Sequence, residues 1–199
     1  MKTIIALTSN LGCGKDYIID NVIIPILKSL NKNRYLKISF ADQIKINVMT
    51  KNNINYSDVY ITKNSETRIL LQNEGQLLRN INRDIWTDYL DNWITVYNNR
   101  DIDIFLISDL RYKNEYEYVK KNNGIIIKII APERNTNKLL QESNGNQEIM
   151  NKIKSHQSEC DLNNLTNDLY DLVIYNDINN DCKIIKDDLK KLLYNHNYN

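Results

Sequence analysis

Glycine, proline and alanine are scarce in this chain of 199 residues, which contains five glycines and two prolines. Asparagine, isoleucine, lysine and tyrosine are frequent instead. Because the frequent residues share AT-rich codons, we attribute this bias to the genome. The composition does not indicate a disordered or prion-like segment, and no internal repeat is visible.

Excess charge and long apolar runs are also missing. The chain has 26 basic and 25 acidic side chains and a formal net charge of +1, so no global field attracts a nucleic acid polymer or a membrane. No apolar run approaches the ~20 residues that cross a bilayer, and the N-terminus MKTIIALTSN turns polar too early for a signal peptide. These features predict a cytoplasmic protein.

Cysteine is rare, and its spacing matches no metal site. The three cysteines are an odd number, as is typical of a reduced intracellular protein. A length of 199 residues suits a single domain, residues 1–199, with a substantial core.

The stretch ALTSNLGCGKDYIID, residues 6–20, approaches the phosphate-binding pattern G-x-x-x-x-G-K-[ST]. Gly14 and Lys15 fit that pattern, while Ser9 replaces its first glycine and Asp16 replaces its hydroxyl residue. Two of the five glycines, Gly12 and Gly14, lie in this stretch. The sequence therefore predicts a phosphate loop over residues 9–16; a strand-to-helix turn without a ligand is the alternative.

The flanking segments support the phosphate loop. Residues 3–9, TIIALTS, form a short β-branched run that is typical of a buried parallel strand. After the loop, apolar residues recur at helical spacing between Ile18 and Leu30, which predicts a helix whose N-terminus attracts anions. Pro25 should kink that helix near Asn21, because proline lacks the backbone donor.

Strands and helices alternate along the rest of the chain. Further strands are predicted over residues 34–40, 102–108, 124–131 and 171–175. Helices are predicted over residues 41–50, 66–80, 84–98, 112–122 and 183–194. The alternation predicts an α/β fold with three layers, in which helices cover both faces of a central parallel sheet of about five strands.

The polar segment of about residues 132–167 interrupts the alternation. It lies at the edge of the sheet where ligands bind, and it carries the basic residues Arg134, Lys138, Lys152 and Lys154. We predict that it forms a lid over phosphates; a solvated connector whose charges bind nothing is the alternative.

Two short polar motifs follow predicted buried strands. ISDLRYKNE places Asp109 at a strand tip, where a carboxylate organises magnesium, and Arg111 two residues on, where a planar fork suits an acceptor phosphate. SFADQIK places Asp42 and Lys45 at the start of a helix. An ordinary strand-end turn and a simple helix cap are the alternatives.

The stretch TRILLQNEGQLLRN, residues 67–80, carries polar residues along one predicted helix. Arg68 and Gln72 lie one turn apart on one face, and Arg79 follows where it could close on a substrate phosphate. A solvated helix face is the alternative.

With these motifs taken together, the chain resembles the deoxynucleoside monophosphate kinases of viral and phage type. These are phosphate-loop enzymes related in fold to adenylate kinase. The similarity runs nearly end to end, through SNLGCGKD, FADQIK, RILLQNEGQLLR, SDLRYKNE, HQSE and YND. It implies the phosphate-loop kinase version of the α/β/α fold, with substrate-binding helices over about residues 41–98 and a helical lid over about residues 132–167. It also implies transfer of the γ-phosphate of ATP to a deoxynucleoside monophosphate.

The resemblance implies a role for each candidate residue. The ATP-binding residues would be Leu11, Gly12, Cys13, Gly14, Lys15, Asp16 and, near adenine, Asn176. The acceptor-binding residues would be Asp42, Lys45, Arg68, Gln72, Arg79, Trp86 and Arg111. Lys15, Arg111 and Arg134 would act on the transferred group, and Asp16 and Asp109 would organise Mg²⁺ as the cofactor. Trp86 also fits a core position. Kinases of this kind are often homodimers.

Two other functions remain open. Phosphomevalonate kinases of animal type also have a loop that ends in GKD and a D-x-R-like word, so the acceptor need not be a nucleotide. Ser9 and Tyr17 depart from common kinase loops, which suggests a nucleotide-binding module without catalysis.

Overall fold

The computed structural model describes residues 2–62, 65–177 and 182–195. The strands are β1 (Thr3–Thr8), β2 (Tyr35–Ile38), β3 (Ile104–Ile107), β4 (Ile125–Ile130) and β5 (Leu172–Tyr175). The helices that follow β1 and β2 are α1 (Lys15–Ile18), α2 (Ile24–Ser29), α3 (Asp42–Asn52), α4 (Tyr56–Tyr60), α5 (Ser65–Ile81) and α6 (Ile85–Asn98). The later helices are α7 (Lys113–Lys121), α8 (Pro132–Ser143), α9 (Gln147–Ser155), α10 (Gln157–Cys160) and α11 (Cys182–Asn195).

All five strands run parallel in one sheet of order β2-β3-β1-β4-β5. The central strand β1 pairs on both sides: Ala6 is opposite Ile107 of β3 and Ile126 of β4. Continuous isoleucine-rich runs form these strands, because a central parallel strand is covered by helices on both faces.

Two apolar clusters place helices on the two faces of the sheet. One cluster packs Ile5, Leu7 and Ile127 against helices α1, α2 and α11. The other packs Ile4, Phe105 and Ile126 against α6 and α7, and the neighbouring residues of each strand alternate between the clusters. The predicted three-layer α/β/α architecture with a five-stranded parallel sheet is therefore confirmed.

Pro25 disturbs its helix as predicted. Residues Ile19–Ile23 form a π-helical turn between α1 and α2, and Pro25 lies in the first turn of α2. The missing N–H of Pro25 removes a regular hydrogen bond one turn back, which a wider turn accommodates. The apolar face continues through this turn, because Ile19, Val22 and Ile23 remain buried.

Because the strands are parallel, the segments that follow β1, β2, β3 and β5 meet at one edge of the sheet. Helices α8, α9 and α10 lie in the predicted lid segment, and α4 is a short helix that the sequence pattern did not predict. The division into core, substrate-binding helices and lid stays a prediction. Within the described part of the chain, no helix combines the length and apolar character needed to cross a membrane.

Candidate active site

A cavity of about 1050 Å³ opens at the carboxyl edge of the sheet. The phosphate loop lines one side of it, from Leu11 to Asp16. Residues of α3, α5 and the segment after β3 line the other side, among them Lys45, Gln72 and Arg111. Ligand pockets commonly measure about 300–1,000 Å³, so this volume accommodates two small ligands together.

Two glycines give the phosphate loop its shape. Gly12 and Gly14 have φ angles of +78° and +88°, a left-handed conformation that disfavours side chains. A Cβ on Gly12 would lie 2.5 Å from Cβ of Lys138, and one on Gly14 would lie 2.7 Å from Nδ2 of Asn176. Neither position has room for a side chain, so both conformation and packing require glycine.

Side chains from distant segments fix the loop by binding its backbone. Asn135 Nδ2 donates to the Leu11 carbonyl at 2.7 Å, and Asn176 Nδ2 donates to the Cys13 carbonyl at 2.9 Å. The Leu11 N–H donates to Glu159 Oε2 at 2.9 Å. Helix α1 begins directly after Gly14, and the first N–H groups of a helix lack intrahelical partners. The loop therefore presents a helix N-terminus to the cavity, as an anion site requires.

Lys15 lies at this N-terminus and folds back over the loop. Its Nζ donates to the Ser9 hydroxyl at 2.8 Å and to the Ser9 carbonyl at 3.2 Å. Burial, and then the charge of Arg111, lower the pKa of Lys15 from its ordinary 10.5 to about 8. The ammonium group therefore occupies a site that is short of compensating negative charge, which a phosphate would supply.

Arg79 lies across the cavity with its guanidinium almost buried; its side chain is 11% exposed. Its Cζ lies 3.8 Å from the centre of the Tyr112 ring, Nη1 donates to the Gly75 carbonyl at 3.3 Å, and Nη2 is 3.8 Å from Glu115 Oε1. Its Nε is buried and has no hydrogen-bond partner among the described residues. A buried donor without an acceptor is costly, and Arg79 therefore places a positive charge with few partners at the wall of the cavity.

Glu115 links Arg111 to Arg79. Its Oε2 accepts the backbone N–H groups of Arg111 and Tyr112 at 2.8 and 3.1 Å, while Oε1 faces Arg79. Burial, and then the charge of Asp109, raise the pKa of Glu115 to about 8. The carboxyl group thus fixes the backbone from which Arg111 projects into the cavity.

Asp109 binds the turn after β2. Its carboxylate accepts hydrogen bonds from Ser39 Oγ at 2.9 Å and from the N–H groups of Phe40 and Ala41 at 3.0 Å each. Asp42 accepts the Ser39 N–H at 2.8 Å. These bonds join the two strand ends and hold the N-terminus of α3 beside the cavity.

Lys45 and Tyr60 extend the same wall. Lys45 Nζ pairs with Asp42 Oδ1 at 3.0 Å and lies 4.5 Å from the centre of the Tyr60 ring. Tyr60 stacks on Tyr56, with ring centres 4.5 Å apart and an interplanar angle of 12°. The wall combines a flat aromatic surface with a neighbouring ion pair.

The candidate magnesium residues lie at the cavity without forming a closed metal site. Asp16 is exposed beside Lys15, and Asp109 has three donors on its carboxylate. In the described ranges no group of three or more His, Cys, Asp or Glu residues is arranged to hold a metal ion. This arrangement fits an ion that arrives with a phosphate and meets the carboxylates through water.

Arg68 and Arg134 depart from their expected positions, because neither lines the cavity. Arg68 is exposed, and its Nη2 pairs with Glu142 of α8 at 3.1 Å. Arg134 is exposed on α8; its backbone N–H donates to Asp177 at 3.3 Å. Lys138, one turn further along α8, lines the cavity instead. Residues four apart share one face of a helix, so the two positions differ in their place along α8 and not in its phase. Near Gly12, Lys138 contributes its side chain and Arg134 only its carbonyl.

Trp86 and Asn176 also differ from the expected ligand contacts. Trp86 is 1% exposed, and its Nε1 donates to the Gly75 carbonyl at 3.0 Å, so it supports α5 from the core. Asn176 is buried behind the phosphate loop, where it binds the Cys13 carbonyl. Both side chains therefore position the site without lining it.

The placement of Asn176 gives a first testable prediction. Asn176→Ala should weaken ATP binding about fivefold, because it removes the donor to Cys13 and loosens the loop, a loss of about 1 kcal/mol. It should not change the preference for ATP over GTP, since the side chain supports backbone and not base. Calorimetric titration of both nucleotides checks this. A loss of binding for ATP but not for GTP would instead support the expected contact between Asn176 and adenine.

Several cavity residues were missed from the sequence. They are Tyr56, Tyr60, Tyr112, Glu115, His156 and Ser158. Glu115 belongs to the word SDLRYKNE and follows Arg111 by one helical turn, so its spacing was a usable signal. The tyrosines carried no signal, because 13 tyrosines are spread along this chain.

Comparison with known proteins gives similarity of structure only. No family model matches the chain, and no curated protein matches it. A dephospho-CoA kinase from Campylobacter jejuni is similar in structure, with a TM-score of 0.47 and 18% identity over 98% of this chain and 96% of that chain. A shikimate kinase from Acinetobacter baumannii, in complex with shikimate, has a TM-score of 0.47 and 12% identity over 97% and 92% of the two chains. Because the similarity is this low, the functional conclusion rests on the residues of the cavity and not on the similar structures.

Proposed function

We propose that the protein is a kinase that transfers the γ-phosphoryl group of ATP to the phosphate of a deoxynucleoside monophosphate. One observation carries the proposal: a single cavity joins the phosphate loop and Lys15 to the guanidinium groups of Arg79 and Arg111. The phosphates of the donor and the phosphate of the acceptor each bind to cationic groups, and for transfer the two binding sites must lie in the same cavity.

On the donor side, the N-terminus of α1 and Lys15 would bind the phosphates of ATP. The helix N-terminus supplies N–H donors, and Lys15 supplies a charge that burial leaves poorly compensated. Magnesium bound with ATP would neutralise charge on the phosphate oxygens. Asp16 and Asp109 are the carboxylates that would hold its water ligands.

On the acceptor side, Arg79 and Arg111 would bind the monophosphate. A guanidinium binds phosphate with a planar fork, which fixes orientation as well as charge. Glu115 accepts the backbone N–H of Arg111 and faces the guanidinium of Arg79, so one buried carboxyl group holds the two arginines beside each other. This positions the acceptor oxygen toward the donor, and phosphoryl transfer depends mainly on such positioning.

A nucleotide acceptor is favoured by the wall beyond the arginines. Tyr56 and Tyr60 provide a flat stacked surface, and the Gln72 amide provides a donor and an acceptor for the edge of a base. The choice of a deoxynucleotide rests on the resemblance of the sequence words to the viral and phage kinases. The dimeric state implied by that resemblance is part of the same proposal.

An acceptor screen tests the proposal. ADP formation from ATP and Mg²⁺ is measured with dTMP, dGMP, dCMP, dAMP or dUMP added singly, and with phosphomevalonate as the acceptor without a base. We expect one or more deoxynucleotides to accelerate ADP formation well above the rate with ATP alone. The matching ribonucleotides test the sugar preference.

The other outcomes replace the proposal with a named alternative. Acceleration by phosphomevalonate alone would identify a small-molecule phosphate kinase. ATP binding without acceleration by any acceptor would identify a nucleotide-binding module without catalysis. Absence of ATP binding by calorimetry would reject the phosphate loop itself.

A further inference from the structure

One carboxylate of the lid contacts both the phosphate loop and Arg111. Glu159 of α10 accepts the Leu11 N–H at 2.9 Å with Oε2, and its Oε1 contacts Arg111 Nη1. The Glu159 side chain is only 11% exposed. Glu159 belongs to the motif HQSE, residues 156–159. Its contacts join the lid to Leu11 and Arg111, which are far apart in the sequence.

The rest of α10 supports this placement. His156 caps the helix: its Nδ1 accepts the Ser158 N–H at 3.2 Å, and the Ser158 carbonyl lies 3.5 Å from Arg111 Nη1. Burial lowers the pKa of His156, so its ring is neutral at pH 7 and keeps Nδ1 as an acceptor. Because α10 begins at Gln157, this cap fixes the turn that carries Glu159.

The contact leaves Arg111 able to bind a ligand. Within the described part of the chain, the hydrogen bonds of its guanidinium all come from Nη1. A guanidinium has five N–H donors in a fixed plane, so a carboxylate on one nitrogen orients the others. Arg111 lines the cavity, and its side chain is 27% exposed.

We propose that Glu159 is a positioning residue: it ties the lid to the phosphate loop and orients Arg111 toward the acceptor phosphate. The inference rests on the proposed kinase function for its catalytic part. Since Glu159 lies on the lid, Arg111 takes its active orientation only while α10 is seated on the loop. Transfer is thereby coupled to lid closure, which limits the loss of the phosphoryl group to water.

Glu159→Gln tests this with little change of shape, and Glu148→Gln is the matched control. Glu148 is an exposed carboxylate of α9 in the same lid, and it does not line the cavity. We expect Glu159→Gln to lower kcat about tenfold or more, the range for losing a charge-assisted hydrogen bond. The KM for ATP should change less than twofold, and Glu148→Gln should match the wild type.

A double variant distinguishes positioning from a general structural role. If Glu159 acts through Arg111, then Glu159→Gln should have little further effect on kcat in an Arg111→Lys background. Independent, multiplying effects of the two substitutions would overturn the proposal. A higher kcat or tighter acceptor binding in Glu159→Gln would also overturn it, because the carboxylate would then be a competitor of the phosphate.

Hydrogen exchange separates this proposal from the kinase proposal. Without any nucleotide, amides of residues 156–161 should exchange about tenfold faster in Glu159→Gln than in the wild type or Glu148→Gln. Equal rates in all three proteins would show that the bridge does not hold the lid, whatever the activity. Failure of the wild type to use any acceptor would reject the kinase, while faster exchange would still support the lid contact.

Discussion

Replacing Lys15 with methionine is expected to abolish phosphoryl transfer and leave the fold intact. Loss of one charged group that stabilises the transferred phosphoryl group costs a factor of about 10²–10³ in kcat. Methionine fills similar space without a charge. Because burial lowers the pKa of Lys15, the ammonium opposes folding below pH 8, so the free energy of unfolding of Lys15→Met at pH 7 should equal or exceed that of the wild type.

The same pKa predicts how ATP binding depends on pH. Lys15 has a pKa of about 8 in the protein without ligand, and bound phosphate favours its charged form. Above pH 8 binding therefore takes up a proton, and ATP affinity should fall as pH rises from 7 to 9. Calorimetric titration across this range measures the slope, which should disappear in any residual binding by Lys15→Met.

Lys121→Met is the control for the chemical change, since Lys121 is exposed at the end of α7. It should transfer phosphate at the wild-type rate. Near-normal transfer by Lys15→Met, with unfolding monitored by circular dichroism to show that the protein is folded, would contradict the assignment of residues 9–16 as the phosphate loop.

Arg79→Lys is expected to raise the KM for the acceptor about tenfold to a hundredfold and to leave the KM for ATP nearly unchanged. Lysine keeps the positive charge but lacks the planar fork of N–H donors with which a guanidinium binds phosphate. Hydrogen bonds to charged groups contribute about 1.5–3 kcal/mol each, which corresponds to this range. Initial rates measured against each substrate separately check the prediction.

Arg83→Lys is the matched control for Arg79→Lys. Arg83 is exposed, pairs with Glu117 at 3.2 Å, and does not line the cavity. It should behave as the wild type toward both substrates. An equal rise in both KM values for Arg79→Lys would show a general loss of active-site structure and would contradict a specific acceptor role.

The helices and the loop show what a local pattern determines. Lys15 and Gly14 were predicted at a loop between a buried strand and a helix, and the structure has β1 before them and α1 after them. Short apolar runs also predicted the strands, and their alternation with helices predicted a parallel sheet covered by helices on both faces. These features depend on residues a few positions apart, and spacing along the chain therefore determines them.

Local sequence patterns did not predict the contacts of the polar side chains. Asn176 was expected near adenine, yet it binds a carbonyl 163 positions earlier in the chain. Arg134 was expected over the phosphates, yet Lys138, one turn further along α8, lines the cavity. A single sequence does not specify which turn of a polar lid helix meets a loop more than a hundred residues away.

The sequence by itself determined the sheet, the loop of residues 9–16 between β1 and α1, and the edge at which Asp109 and Arg111 follow β3. Only the tertiary structure decided that Glu115 links Arg111 to Arg79 and that Glu159 joins the lid to Leu11. Secondary structure follows from local spacing, whereas buried polar groups obtain their partners only when distant segments pack together. The shape of the active site is set by that packing.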